Sequence, residues 1–433
     1  MPFKDTFCPS PWIHMRINNS GTYEPCRWMT KSHSVSRHNQ SHNIQQMPVQ
    51  QFFQKTMAPL RTSLLQGIQP DMCNDCALME KNKKTSGRQR QLLKIGVQQQ
   101  YFEKSLASSG IRHDFDYSDQ NQGQTTRMPV DWQIDLGNYC NGGCVFCRPE
   151  SSSTLATEFL RLGLIDKTPP RSWCDDPALL DQFVDNLTCS PNVRYLHFIG
   201  GETLITPGFK KILLALIQAG TAPQITIGFT TNLTVWDHSV IDLFGEFDCV
   251  NLGVSIECMT HLNDYVRWPS KFDQTMKTLD QWLATARQKK WLVQLRTTPT
   301  CLTVHELLTV HEFAWHHDIS VETCNFLNSP EFMRISVLPQ EYRRPVIDQF
   351  RAWIADKNLS QVDQIINTRN PNLAKQQVIQ DAESYLNYLE SAADESHRLP
   401  DLVKFIKQLE SSRGNCILNY LPQYEDLFRS AGY

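Results

Sequence analysis

From about residue 131 onward, apolar and polar positions follow two rhythms that alternate along the chain. Short runs rich in β-branched and aromatic residues, at 131–136, 193–199, 224–229, 249–256, 291–297 and 319–324, read as strands. Between them, 179–187, 209–218, 272–288 and 304–316 repeat apolar residues at helical spacing. Regular alternation of this kind predicts βα units and an α/β fold with a parallel sheet. Six repeats suit a partial (β/α)6 barrel better than a closed eight-stranded one, and ligands of such folds bind at the carboxyl ends of the strands. After residue 325, segments 338–356, 379–393 and 402–409 have helical periodicity, the last ending near Arg413-Gly414. Residues 1–130 lack the alternation, and 105–127, rich in Ser, Asp, Gln and Gly, read as a loop or linker. The expected organisation is an N-terminal domain over 1–104, a linker over 105–130, the barrel over 131–325 and a helical C-terminal region over 326–433.

Composition narrows the class of protein. A net charge of −3 over 433 residues gives no electrostatic case for nucleic acid as the main partner. No run of 18 apolar residues occurs, and Met1-Pro-Phe-Lys-Asp-Thr6 lacks the apolar core of a secretion signal. The expectation is a cytoplasmic protein without membrane contact. Fourteen cysteines in that reducing compartment suit metal ligands plus scattered buried thiols better than a disulfide framework. The basic residues Lys81, Lys83, Lys84, Arg88 and Arg90 read as a solvated helix face, with a role in holding an acidic substrate or partner as the alternative.

The chemistry concentrates at the end of the first predicted barrel strand, in Tyr139-Cys-Asn-Gly-Gly-Cys-Val-Phe-Cys147. Tight glycine-bearing spacing lets Cys140, Cys144 and Cys147 converge from one loop on a soft metal centre. A structural zinc or a closed iron–sulfur cluster takes four protein ligands, so three leave one position for chemistry. A zinc knuckle or three buried thiols is the bland alternative.

The CxxxCxxC spacing, with aromatic Phe146 before the last cysteine, resembles the signature of the radical S-adenosylmethionine (SAM) superfamily. The resemblance implies a TIM-type partial barrel, a [4Fe–4S] cluster on the three cysteines, and SAM bound to its fourth iron. Gly200-Gly201-Glu202 closes the second strand and resembles the family's GGE motif, which binds the SAM amino group. Thr231-Asn232 after the third strand resembles the segment near the SAM ribose, and Ser255-Ile256-Glu257 ends the fourth where relatives contact SAM. Thr203 stands where the family has proline, and Glu257 where it has aspartate. Arg296 could pair with a carboxylate of SAM or substrate, or form a structural ion pair. The implied activity is reductive cleavage of SAM to a 5′-deoxyadenosyl radical that abstracts a substrate hydrogen. A peptide or protein is the leading substrate class, and a radical epimerase or dehydratase of sugar or aminoglycoside type the runner-up. A flavodoxin or ferredoxin is the kind of reductant implied. The reading from another class is a non-enzymatic iron–sulfur protein of electron transfer or scaffolding.

Cys8, Cys26, Cys73 and Cys76 lie ahead of the barrel. The segment from Phe7 to Cys26 resembles the Twitch half of a SPASM domain, in which a short hairpin carries cysteines to an auxiliary [4Fe–4S] cluster. Cys73 and Cys76 would complete four ligands, and the run Cys147-Arg-Pro-Glu-Ser-Ser-Ser153 resembles the same group of proteins. A four-cysteine zinc site, or no metal, remains open. Cys174, Cys189, Cys249, Cys258, Cys301, Cys324 and Cys416 show no ligand spacing and read as small buried apolar residues. Of these, Cys258, Cys301 and Cys324 fall near strand ends, where one could donate a hydrogen atom. His197, in an apolar strand, reads as a core residue, and His14, His316 and His317 carry no signal.

Overall fold

The computed structural model describes residues 6–29, 42–81, 86–97, 110–323, 326–327, 329–357 and 371–433. All six expected barrel strands are present: β3 (Asp131–Asp135), β4 (Tyr195–Ile199), β5 (Thr226–Thr231), β6 (Cys249–Ser255), β7 (Leu292–Thr297) and β8 (Ser320–Thr323). Two more precede them, β1 (His14–Ile17) and β2 (Tyr23–Glu24), giving one eight-stranded, mostly parallel sheet in the order β2-β1-β3-β4-β5-β6-β7-β8. The chain is an α/β protein. Its backbone divides into two compact units, the first of residues 1–138, 170–229 and 239–250, the second of 139–169, 230–238 and 251–433.

In the first unit β1 pairs antiparallel with β2 and parallel with β3, His14 facing Asp131 and Ile17 facing Ile134. The N-terminal hairpin therefore extends the sheet. The stretch expected as a loop at 105–127 contains the helix Gly110–Gln120, whose Phe115 meets Phe7 and Trp12 edge-on at 5.0 and 5.1 Å. Aromatic packing of that kind decides the local structure over a polar composition. Arg61 is fully buried and donates to the carbonyls of Pro11, Phe53 and Gly123. The helices Pro177–Thr188 and Pro207–Gln218 bury Phe183 and Phe209, the latter 4.9 Å from Phe198 of β4. His197 is buried and stacked on Tyr195, as a core residue should be.

In the second unit β6, β7 and β8 run parallel, and the helices Phe272–Lys289 and Leu307–His317 follow the predicted periodicity. The long C-terminal helices are Gln340–Asp356, Pro371–Ser391 and Leu399–Arg413. The last ends at Gly414 in the left-handed conformation, φ 67°, which removes the steric cost an L side chain would incur. Among the described residues, no helix is long and apolar enough to cross a membrane.

Candidate functional site

The loop bearing Cys140, Cys144 and Cys147 belongs to the second unit and is bound by backbone and hydroxyl groups on both sides. Gly143 N–H donates to the Trp268 carbonyl at 2.7 Å and Val145 N–H to that of Val266 at 2.9 Å. From the other side, Ser152 Oγ donates to Gly142 O at 2.5 Å and Thr154 Oγ1 to Cys140 O at 2.7 Å, while Cys140 N–H donates to Ser153 Oγ at 3.1 Å. Ser152 also accepts from Leu155 N–H and so caps the helix Ser153–Arg161. One serine thus starts a helix and fixes the loop.

Gly142 lies between two of the thiols: a Cβ there would sit 3.7 Å from Cys140 Sγ and 3.8 Å from Cys144 Sγ. Burial pushes the Cys144 thiol up, opposed by the nearby Arg267 guanidinium. Cys147 is pushed up to about 12 by burial first and then by Cys144. Three close, partly buried soft donors on a tied loop fit an iron–sulfur cluster.

Other predicted residues belong to the same unit, and one of them, Asn232, touches the loop. Asn232 Nδ2 donates to Asn141 Oδ1 at 2.9 Å, and Thr231 Oγ1 accepts from Leu233 N–H at 3.2 Å. Ser255 stands opposite Arg296 across β6 and β7. Arg296 itself donates to Thr230 Oγ1 at 3.0 Å and pairs with Glu322 at 3.6 Å. Glu257 is buried against Arg267, a residue that motif spacing does not single out. Arg413 and Trp268 also escape sequence reasoning: the Arg413 guanidinium lies 4.8 Å from the Trp268 ring centroid and its Nη2 donates to Glu158 at 2.6 Å.

Gly200, Gly201 and Glu202 belong to the first unit. Gly200 has φ 130°, and a Cβ there would come within 2.5 Å of Gly137 O, so only glycine fits. Gly201 N–H donates to that same carbonyl at 2.7 Å. The Glu202 carboxylate is 1% exposed and accepts from Leu204 N–H, capping the short turn Thr203–Ile205.

The first unit also brings Cys8, Cys26, Cys73 and Cys76 around a cavity of about 280 Å³, lined further by Trp28, Leu64 and Met72. Cys8 precedes the short helix Ser10–Ile13 that leads into the β-hairpin and Cys26 follows the hairpin, while the helix Asn74–Lys81 with the turn before it delivers the other two. Burial foremost, then the neighbouring thiol of Cys8, raises both Cys26 and Cys73, the latter to about 12. Among the described residues, no three His, Cys, Asp or Glu side chains are grouped as ligands of a single metal ion. Arg88 departs from the expected solvated face: it pairs with Glu80, donates to Phe7 O at 3.2 Å and lines the cavity. Lys81 and Arg90 are exposed, and Lys83 and Lys84 lie outside the described residues.

Of the remaining cysteines, Cys174, Cys249, Cys258 and Cys301 are buried. Cys189 is exposed at a helix C-cap and Cys416 is half-buried beside the Tyr433 hydroxyl, so neither is the buried apolar residue expected. Cys324 lies outside the described residues.

Residues 134–314 match the family model described as Radical SAM superfamily. The chain carries a radical SAM domain. No curated protein matches the chain in sequence. Solved structures similar to it include SuiB of Streptococcus suis bound to S-adenosylmethionine, at 12% identity over 71% of this chain and 67% of that one, TM-score 0.35. Others are anSMEcpe with bound AdoMet, at 16% identity over 53% and 61%, TM-score 0.38, and the radical SAM methyltransferase TsrM of Kitasatospora setae, at 14% over 44% and 34%, TM-score 0.31. With TM-scores below 0.5 these likenesses add nothing to the assignment, which rests on the family match.

Proposed function

We propose that this radical SAM enzyme initiates hydrogen abstraction from a peptide or protein substrate, with Cys140, Cys144 and Cys147 holding the SAM-binding cluster. The observation that carries the reading is the three-thiol loop, tied by Ser152, Ser153 and Thr154 within a domain that matches the family model. When bound, the cluster and SAM supply a 5′-deoxyadenosyl radical that takes a hydrogen atom from the substrate. The chain's own part is to fix geometry and keep water away. The hydroxyl clamp sets the direction of the thiols, and Asn232 braces Asn141 in the middle of the loop. Gly200, Gly201, Glu202, Thr231, Ser255 and Glu257 are assigned to SAM contact by resemblance.

Cys8, Cys26, Cys73 and Cys76 are proposed to hold the auxiliary [4Fe–4S] cluster, in an N-terminal segment of Twitch type. Four thiols around one cavity support that reading. A closed shell of four protein ligands suits electron relay or architecture better than substrate binding. The peptide assignment follows the Twitch and SPASM resemblance. A flavodoxin or ferredoxin in the cytoplasm is the proposed electron source.

Anaerobic reconstitution tests the scheme. The expected result is about eight irons per chain, four for each cluster, and dithionite-dependent release of 5′-deoxyadenosine from SAM. Absence of cleavage in wild-type protein with intact clusters overturns it. Cys144→Ala should abolish cleavage while keeping the N-terminal cluster's spectrum. Deuterium carried from a labelled peptide into 5′-deoxyadenosine would establish the substrate class, and transfer from an amino sugar instead would favour the runner-up.

A further inference from the structure

Beside the three-thiol loop Glu257, assigned above to SAM contact by resemblance, forms a buried pair with Arg267, which has no part in the scheme so far. Arg267 Nη2 donates to Glu257 Oε1 at 2.5 Å, with the two side chains only 10% and 1% exposed. The other carboxylate oxygen, Oε2, accepts from Thr298 N–H at 2.6 Å. Glu257 is therefore fixed from two directions. The guanidinium lies 5.5 Å from the Phe146 ring centroid, and its second terminal nitrogen, Nη1, reaches to 3.7 Å from Cys144 Sγ. A guanidinium is a rigid planar fork, so holding one arm on Glu257 sets the direction of the other.

Stability alone is a weak reason for such a pair. Buried ion pairs are often matched or bettered by apolar residues of similar volume. An arm aimed at a sulfur points elsewhere. Hydrogen bonds to cluster sulfurs and the net charge around a cluster both set its reduction potential. Reduction adds a negative charge, so a cation and donor at a coordinating sulfur favour the reduced state, and they act strongly where water is scarce. Glu257 opposes the cation from the far side. The pair is thus a short dipole with its positive end on Cys144.

We propose that Arg267, oriented by Glu257, is a positioning residue that donates to the Cys144 sulfur and raises the reduction potential of the cluster held there. This rests on the assignment of Cys140, Cys144 and Cys147 to a cluster. It makes the two halves of one ion pair act in opposite directions. Loss of the cation lowers the potential, while loss of the carboxylate raises it by leaving the cation uncompensated. A purely structural role predicts no such opposition.

The test is a redox titration of the reconstituted full-length chain without SAM, dithionite supplying the electron and electron paramagnetic resonance reading the reduced clusters. The signal lost in Cys144→Ala belongs to the open cluster, and the one retained is an internal reference. Arg267→Gln should lower the midpoint of the first signal by at least a tenfold change in the reduction equilibrium, about 59 mV for one electron. Glu257→Gln should raise it, and the reference should stay in place. If Arg267→Gln does not retain the cluster, Arg267→Lys keeps the charge but loses the fork, and its midpoint should fall less, in the same direction. Unmoved midpoints, or shifts of the same sign in the arginine and glutamate variants, overturn the proposal. A wild-type protein without any signal that depends on Cys144 overturns the cluster assignment itself.

Discussion

At the scale of single residues, the thiols of this protein depend on partners that carry no motif. Arg413 and Glu158 form a pair with side chains 1% and 4% exposed, and Ser412 Oγ adds a donor to the same carboxylate at 2.8 Å. Replacing Arg413 with Met would leave Glu158 buried without the cation that pairs with it, at a cost of about 3–5 kcal/mol. Thermal unfolding of the metal-free chain should show that loss, and Glu158→Gln combined with it should recover part. Burial pushes the Glu158 carboxyl up, but the Arg413 and Ser412 hydrogen bonds outweigh it and hold the group below its usual 4.5. A carboxylate lowered on folding adds stability above its unfolded pKa, and that contribution is lost as pH falls through the folded value. The wild type should therefore lose stability below about pH 4.5, and Glu158→Gln should lose less over the same window. An identical acid profile in the two proteins would contradict this account.

At the scale of elements, the junction between the cysteine loop and the helix Ser153–Arg161 is where local and functional structure meet. Ser152→Ala removes a helix cap worth about 1 kcal/mol and also the bond to Gly142 O. The expected outcome is a small fall in unfolding temperature together with a larger loss of iron retained after gel filtration. A fall in stability with full iron retention would separate the cap from the loop. Gly200→Ala forces a Cβ against Gly137 O in a left-handed backbone region, so circular dichroism melts should show a marked loss of stability.

The elements also show what a reader of the sequence can and cannot see. The barrel strands were legible because runs such as Leu196–Phe198 between amphipathic helices admit one reading. The place of the hairpin in the sheet is not legible, because four- and two-residue strands such as His14–Ile17 and Tyr23–Glu24 carry no usable period and the partner of the first, β3, is remote in sequence. The cysteines announced themselves by spacing. Arg267 did not, since its role depends on a turn after Leu262–Val266 that only folding defines. Arg88 is hidden for a related reason: among basic neighbours it looks solvated, and its pairing with Glu80 shows only in the fold.

At the scale of the whole molecule, the two cysteine sets make separable predictions. Cys73→Ala with Cys76→Ala should reduce iron from about eight to about four per chain and leave the signal that Cys144→Ala removes. Loss of both signals together would show that the sets do not assemble independently. The wide sequence separation between β1 and β3 has a further consequence during synthesis. Translation proceeds at about 5–20 residues per second, so His14–Ile17 waits on the order of ten seconds for Asp131–Asp135 to emerge. All four N-terminal thiols leave the ribosome before the strand that will anchor the hairpin exists. The nascent chain thus carries its oxidation-sensitive groups through a period with no sheet to shelter them, and its yield should depend on the oxygen tension of the culture more than that of a variant lacking those four cysteines.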